Sequence, residues 1–131
     1  MFKLTIPLAP VTKKNSQQIV RNSKTGRYFL IPSKKFKEYE EQFLDYLGWN
    51  LPHDFRTFTE PVQITARFYM PTKRRVDLTN LLEALDDILV QGFVIADDNS
   101  SIVASHDGSR VFYDKENPRT ELEIVKYESD I

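Results

Sequence analysis

Alternation of apolar and polar residues is clearest from Val62 to Met70, where Val62, Ile64, Ala66, Phe68 and Met70 share one parity. That spacing predicts a strand with one buried face. Phe2, Leu4, Ile6 and Leu8 predict another over residues 2–8, ended by Pro7 and Pro10. Residues 120–127 alternate well enough for a closing strand. Residues 101–106 and 110–113 are shorter candidates, expected to pair across Asp107-Gly108, a turn signal. Residues 93–96 (FVIA) predict a buried strand stub. Helical spacing appears twice. Ser33 is a suitable N-cap for a helix over 34–48, with Phe36, Tyr39, Phe43 and Tyr46/Leu47 as its buried stripe and Gly48 as its stop. Residues 78–91 form the second helix. At 100° per residue, Leu78, Leu81, Leu82, Ala84, Leu85, Ile88 and Leu89 occupy an arc of about 160°, and Thr79, Asn80, Glu83, Asp86 and Asp87 lie opposite. Gly92 permits a sharp exit. Residues 11–26 lack periodicity and read as a loop. With a short strand at 27–31, residues 11–31 become partly a basic hairpin. This order predicts a single α/β (α+β) domain over 1–131, with two main helices packed on a mixed β-sheet.

Charge changes the picture more than composition does. The net charge of −1 hides a division between segments. Residues 1–37 hold nine Lys/Arg and no acid, while the remaining 94 hold nine Lys/Arg against all nineteen Asp/Glu. A basic arm on an acidic body points to a polyanion partner. The competing reading is a solvated basic loop that binds nothing. The absence of cysteine excludes disulfides, thiolate chemistry and cysteine-bound zinc, and fits a reducing cytoplasm. No apolar run is long enough to span a membrane. Met1 leads into an alternating strand pattern with no h-region, so no signal peptide is expected.

Residues 73–99 carry the chemistry. The cations Lys73, Arg74 and Arg75 run into Asp77, the helix follows, and Asp97-Asp98 come after it. Asp77 precedes the first helical turn, where an acid also serves as an N-cap. Asp86 and Asp87 stand towards the helix C-terminus, against the dipole, so a cation or basic neighbour is expected to offset their cost. A return through Phe93 to Ala96 would bring Asp97 and Asp98 back towards Asp77. The helix rises roughly 21 Å and four extended residues recover about 13 Å, so a gap remains for a loop or a second subunit to close. Converging acids would hold one or two hard divalent cations, Mg²⁺ rather than zinc, and activate a water against a phosphate. The rival reading of Lys73–Arg75 is a solvated turn. DNA contacts are expected from Lys13, Lys14, Arg21, Lys24 and Arg27 in the N-terminal loop and from Lys73, Arg74 and Arg75. His53 and His106 read as surface residues or satisfied hydrogen-bonders.

These motifs resemble the RusA family of Holliday-junction resolvases. The resemblance rests on Arg74-Arg75, then Asp77-Leu78-Thr79-Asn80-Leu81 opening a helix, then Gly92-Phe93 and Asp97-Asp98. It extends to PLAPVTKKN (7–15), GRYFLIPSKKFKEYEEQ (26–42) and RTELEIV (119–125). It implies a RusA-like fold and a homodimer that binds four-way DNA junctions and nicks two strands symmetrically with Mg²⁺ or Mn²⁺, in DNA recombination and repair. It also implies a bacterial, phage or prophage setting. Asp77 would be the first metal-binding acid and Asp98 the last catalytic one, with Asp97 beside it and Asn80 as the motif's asparagine, grouped here with the DNA contacts. Two positions depart from the pattern. Thr79 stands where a second Asp is common, and Glu83 where a catalytic Lys is common. Asn80, Glu83 and Asp87 share one helical face, so Glu83 or Asp87 is the expected source of the missing metal-binding oxygen.

Three other readings compete. One is a junction-binding protein with a degenerate metal site. Another is a nuclease for flaps, forks or RNA. The last is an acidic scaffold whose basic arm binds a protein, which predicts no steep salt dependence of DNA affinity.

Overall fold

The structure is a computed structural model describing residues 1–13 and 17–128. Five strands form one sheet. β1 (Phe2–Ile6) pairs antiparallel with β7 (Arg119–Lys126), and β7 pairs antiparallel with the long central β4 (Val62–Met70). On the far side of β4 lie β5 (Val103–Ser105) and β6 (Arg110–Tyr113), both parallel to it. The sheet is therefore mixed, as the sequence predicts. A parallel return needs a crossover, and α2 (Leu78–Gln91) supplies it.

The predicted pairing across Asp107-Gly108 does not form. β5 and β6 do not face each other; they follow one another along the same edge of β4, opposite Val62–Gln63 and Arg67–Met70 respectively. Residues 106–109 bulge between them. Thr65 Oγ1 donates to the Asp107 carbonyl at 2.8 Å, and the Ala66 N–H donates to Ser109 Oγ at 3.0 Å. The turn itself forms, with the Ser109 N–H donating to the His106 carbonyl at 3.1 Å and Gly108 at a left-handed φ of 85°, but it links two segments of one edge rather than a hairpin.

The buried face of β4, with Ile6, Leu122 and Ile124 from its neighbours, meets both helices in one hydrophobic core. α1 (Lys34–Asn50) starts where predicted, with Ser33 Oγ accepting from the Phe36 N–H at 3.2 Å, and buries Phe36, Tyr39, Phe43 and Leu47. It runs through Gly48 to Asn50, and the Leu51 N–H still bonds the Leu47 carbonyl. The opposite sheet face is polar. There Arg119 lies over the Tyr69 ring at 3.7 Å and bonds Asp114 and Glu121, each at 2.9 Å.

The N-terminal arm is more ordered than a loop. β2 (Gln17–Arg21) and β3 (Tyr28–Pro32) form an antiparallel two-stranded ribbon separate from the main sheet. Asn22 closes its tip, its side-chain carbonyl accepting from the Lys24 and Thr25 N–H groups, and Gly26 takes a left-handed φ of 73°.

α2 buries its predicted stripe, with Leu78 only half-buried, and one residue more. The helical projection puts Asp86 on the polar side, but it is only 6% exposed. It lies about 40° from Leu82 on the helix surface, and His106, in the bulge after β5, covers it. The helix exit also differs from expectation. Gly92 has an ordinary φ of −84°, and the left-handed residue is Phe93, at 61°. Gly92 is needed for closeness instead, since a Cβ there would stand 2.7 Å from Leu47 Cδ1. The predicted 93–96 stub reduces to a single bridge, Phe58 to Ile95. Val94 and Ile95 are buried while Phe93 points outward, 76% exposed.

Candidate active site

Two features meet around α2: a group of carboxylates on its outer face and a cation-lined cleft at its start. Asp77, Asn80, Glu83 and Asp87 lie within about 120° of one another around the helix. Asp77 is the N-cap residue but makes no side-chain capping bond. The Asn80 amide instead donates to Asp77 Oδ2 at 3.1 Å. This holds the carboxylate outside the helix rather than over its N–H groups, so the simple capping role is not the one observed.

The return after α2 is tight. The Val94 N–H donates to the Leu89 carbonyl at 2.9 Å, and Phe58 grips the strand by accepting from the Ala96 N–H and donating to the Val94 carbonyl, each at 2.9 Å. Asp97 and Asp98 follow directly. The Asp98 N–H donates to Asp97 Oδ1 at 2.7 Å. Partial desolvation, a side-chain hydrogen bond with Asp97 and the charges of Asp87 and Asp97 together push the Asp98 carboxyl above its ordinary value, against a lowering by the backbone. The acid pair thus stands near enough to feel the charge of Asp87, in the third turn of α2. Asp77 lies ten residues earlier, about 15 Å along the axis.

Lys13, expected to contact DNA, lies against α2. Its ammonium pairs with Asp87 and sits 5.8 Å from the centre of the Phe36 ring. The cation expected to offset the acids at the C-terminal end of α2 is therefore supplied by the chain itself. Lys14, its predicted companion, lies outside the described residues. Among the described residues no three His, Asp or Glu side chains converge closely enough to hold a metal ion. The available donors are nevertheless hard carboxylate oxygens, and a divalent cation would offset both the desolvation that chiefly raises Asp98 and the smaller repulsion from Asp87 and Asp97.

The cleft has a volume of about 490 Å³ and lies between the segment after β1 and the β4–α2 connection, with Pro10, Thr12, Lys35, Arg74 and Arg75 among its walls. Lys73 instead places its ammonium 5.2 Å from the centre of the Tyr113 ring. Sequence reasoning counts Lys35 only as part of a basic arm. The signal lies in Lys34, Lys35 and Lys37, three cations in the opening turns of a helix with no acid in its first turn. Cations there oppose the helix dipole, and an anion seated beside them offsets that cost. Arg21, Lys24 and Arg27 are all exposed on the β2–β3 ribbon.

His106, expected to be a surface residue or a satisfied hydrogen-bonder, lies against α2. Its Nε2 stands 2.9 Å from Asp86 Oδ2. The approach lacks hydrogen-bond geometry, leaving Nε2 without a hydrogen-bond partner among the described residues, so His106 is not the satisfied hydrogen-bonder expected; it covers Asp86 on the inner side of α2, away from the acidic group on the outer face.

No helix among the described residues is long and apolar enough to cross a membrane. A search of curated proteins returns no match. The family model of endodeoxyribonuclease RusA matches residues 7–125, a span that takes in the cleft, α2 and the Asp97-Asp98 pair, and the chain belongs to the RusA endodeoxyribonuclease family.

Proposed function

We propose that this chain is a Mg²⁺-dependent (or Mn²⁺-dependent) endodeoxyribonuclease that resolves four-way DNA junctions by paired symmetric nicks, acting as a homodimer in recombination and repair. Family membership supports the nuclease reading. The observation that carries the rest is the adjacency of two opposite charge surfaces. Lys35, Arg74 and Arg75 line a cleft at the start of α2, and Asp77 opens the acidic face that leads to Asp87, Asp97 and Asp98.

In this mechanism the cleft cations seat the phosphates that flank the scissile bond. Asn80 orients Asp77 towards the backbone. Asp77 and Asp98, with Asp97, Glu83 and Asp87, would be drawn together around the divalent ion, since without it these described carboxylates do not converge. When bound, the ion lowers the pKa of a water and offsets charge on the phosphate. Asp98, whose carboxyl is pushed above its ordinary value by partial desolvation and its acidic neighbours, would supply one oxygen to that ion, and the Lys13 ammonium offsets the charge of Asp87 beside it. A two-fold pair of such subunits matches the symmetry of a four-way junction and places one site at each of two strands.

The test is a synthetic four-way junction incubated with protein and Mg²⁺ or Mn²⁺, wild type beside Asp98→Asn. Paired symmetric nicks, lost in a variant that still binds, are the expected result. A second reading is favoured by one observation, the occupation of Asp87 by Lys13 where, among the described residues, no three acids converge. That reading is a junction-binding protein without cleavage. Tight binding with no nicks in either metal would establish it.

A further inference from the structure

The β2–β3 ribbon carries an apolar face that the fold does not use. Cross-strand pairing sets Ile19 opposite Leu30 and Arg21 opposite Tyr28, so all four share one side of the ribbon. Ile19 is 72% exposed, Tyr28 70% and Leu30 60%. The other side is better covered, with Val20 and Ile31 half-buried and Phe29 partly exposed. A two-stranded ribbon is marginal in water, and placing three apolar side chains of one face in solvent adds nothing to its stability. The arm's own charges are all positive. Arg21, Lys24 and Arg27 cluster at and beside the tip, and residues 1–37 contain no acid. A protein partner for such a face would have to be strongly acidic. A second copy of this chain would bring an equally basic ribbon if ribbon met ribbon. Nucleic acid supplies both complements at once: phosphates for the cations, and base faces for Tyr28 and its aliphatic flank.

We infer that the Ile19–Tyr28–Leu30 face is a wedge that receives unstacked bases at the branch point of DNA, while Arg21, Lys24 and Arg27 hold the flanking strands. This rests on the branched-DNA reading above and assigns the ribbon a task separate from the carboxylates. Intact duplex offers phosphates but no free base faces, so the wedge confers preference for branched over linear DNA rather than general affinity.

The experiment uses the full chain with the Asp98→Asn change to prevent cutting. The probes are a four-way junction carrying 2-aminopurine at the crossover and a linear duplex of the same sequence. The parent protein is expected to bind the junction more tightly and to brighten the 2-aminopurine as the base leaves its stack. Tyr28→Ser combined with Ile19→Ser and Leu30→Ser should weaken junction binding about tenfold, abolish the brightening and leave duplex affinity unchanged. Tyr28→Phe alone should keep both signals, since the ring is retained. Unchanged junction binding and brightening in the triple variant would overturn the wedge while leaving the branched-DNA reading intact. A triple variant that sediments as a monomer where the parent is a dimer would overturn it in favour of an interface between copies. A parent protein with no preference for the junction would remove the branched-DNA reading, and the wedge with it.

Discussion

Replacing Gly92 with alanine tests why a glycine ends α2. Its φ of −84° and ψ of 5° suit alanine as well as glycine. Backbone freedom alone would therefore make Gly92→Ala stabilising, by about 0.4–1 kcal/mol through the unfolded chain. Packing says the opposite. The new Cβ would lie 2.7 Å from Leu47 Cδ1, 3.3 Å from the Ile88 carbonyl oxygen and 3.4 Å from Leu44 Cδ2. Leu47 is 1% exposed, so its methyl can withdraw only by displacing other core atoms. Overpacking of this kind costs about 1–3 kcal/mol. The net expectation is a loss of about 1–2 kcal/mol, or roughly 3–8 °C in Tm for a domain of this size. Urea melts followed by far-UV circular dichroism give the number. Gly48→Ala is the control: that position lies inside α1 with nothing within 4 Å of the added atom, so it should gain up to about 1 kcal/mol. Shortening the obstructing side chain, in Gly92→Ala/Leu47→Val, should cost less than the sum of the two single changes. A Gly92→Ala protein as stable as wild type, or an additive double variant, would refute the close-approach argument.

Phe93→Gly should raise stability by about 0.5–1 kcal/mol, because relief of a left-handed φ at a largely exposed side chain outweighs the added chain entropy; a lower urea midpoint would contradict this. His106→Ala leaves the Asp86 carboxylate inside the fold without its neighbour and should cost about 1–3 kcal/mol, with Asp86→Ala/His106→Ala costing less than the two singles added, as a double-mutant cycle would show. The Asp114 carboxyl is held below its ordinary value chiefly by its hydrogen bond from Arg119. A depressed folded value means stability that is present above the unfolded pKa and lost as pH falls through the folded one. Wild type should therefore melt above Arg119→Gln at pH 7, with the gap narrowing below the usual carboxylate range; a gap independent of pH would break the assignment. Arg74→Gln/Arg75→Gln should weaken duplex and junction binding alike and reduce the log–log salt slope by about 0.9 for each phosphate left without its arginine, whereas an unchanged slope would take the cleft out of the interface.

What the sequence made legible were the elements whose own spacing determines their burial. β4 and α2 are amphipathic at a single period, so the inward face of each could be named before its partner was known. Ser33 worked for the same reason, since a cap bonds to its own next turn. Edge pairing was not legible. Val103–Ser105 and Arg110–Tyr113 flank an Asp-Gly pair that suits a hairpin, but the free edge of β4 competes for the same backbone groups and wins by offering each segment a longer strand. Asp86 is misplaced by pattern alone because one helical projection cannot show which neighbour overlaps the margin of the apolar arc. Gly92 illustrates a further limit: a glycine kept for room and one kept for φ look alike in a sequence. The candidate site was legible as a set of residue types but not as a pairing. Nothing local links Lys13 to Asp87, 74 positions away.

That pairing bears on the two departures from the family pattern. Relative to an Asp at 79 and a Lys at 83, the Thr79 and Glu83 found here remove one negative charge and then replace a positive charge by a negative one. The outer face of α2 is left one charge more negative than the pattern implies. Lys13 returns one positive charge to that face from outside the helix, and it does so at Asp87, one turn beyond Glu83. The charge balance of the face is thereby kept while its carrier moves from a rigid helix to the chain just before the ribbon.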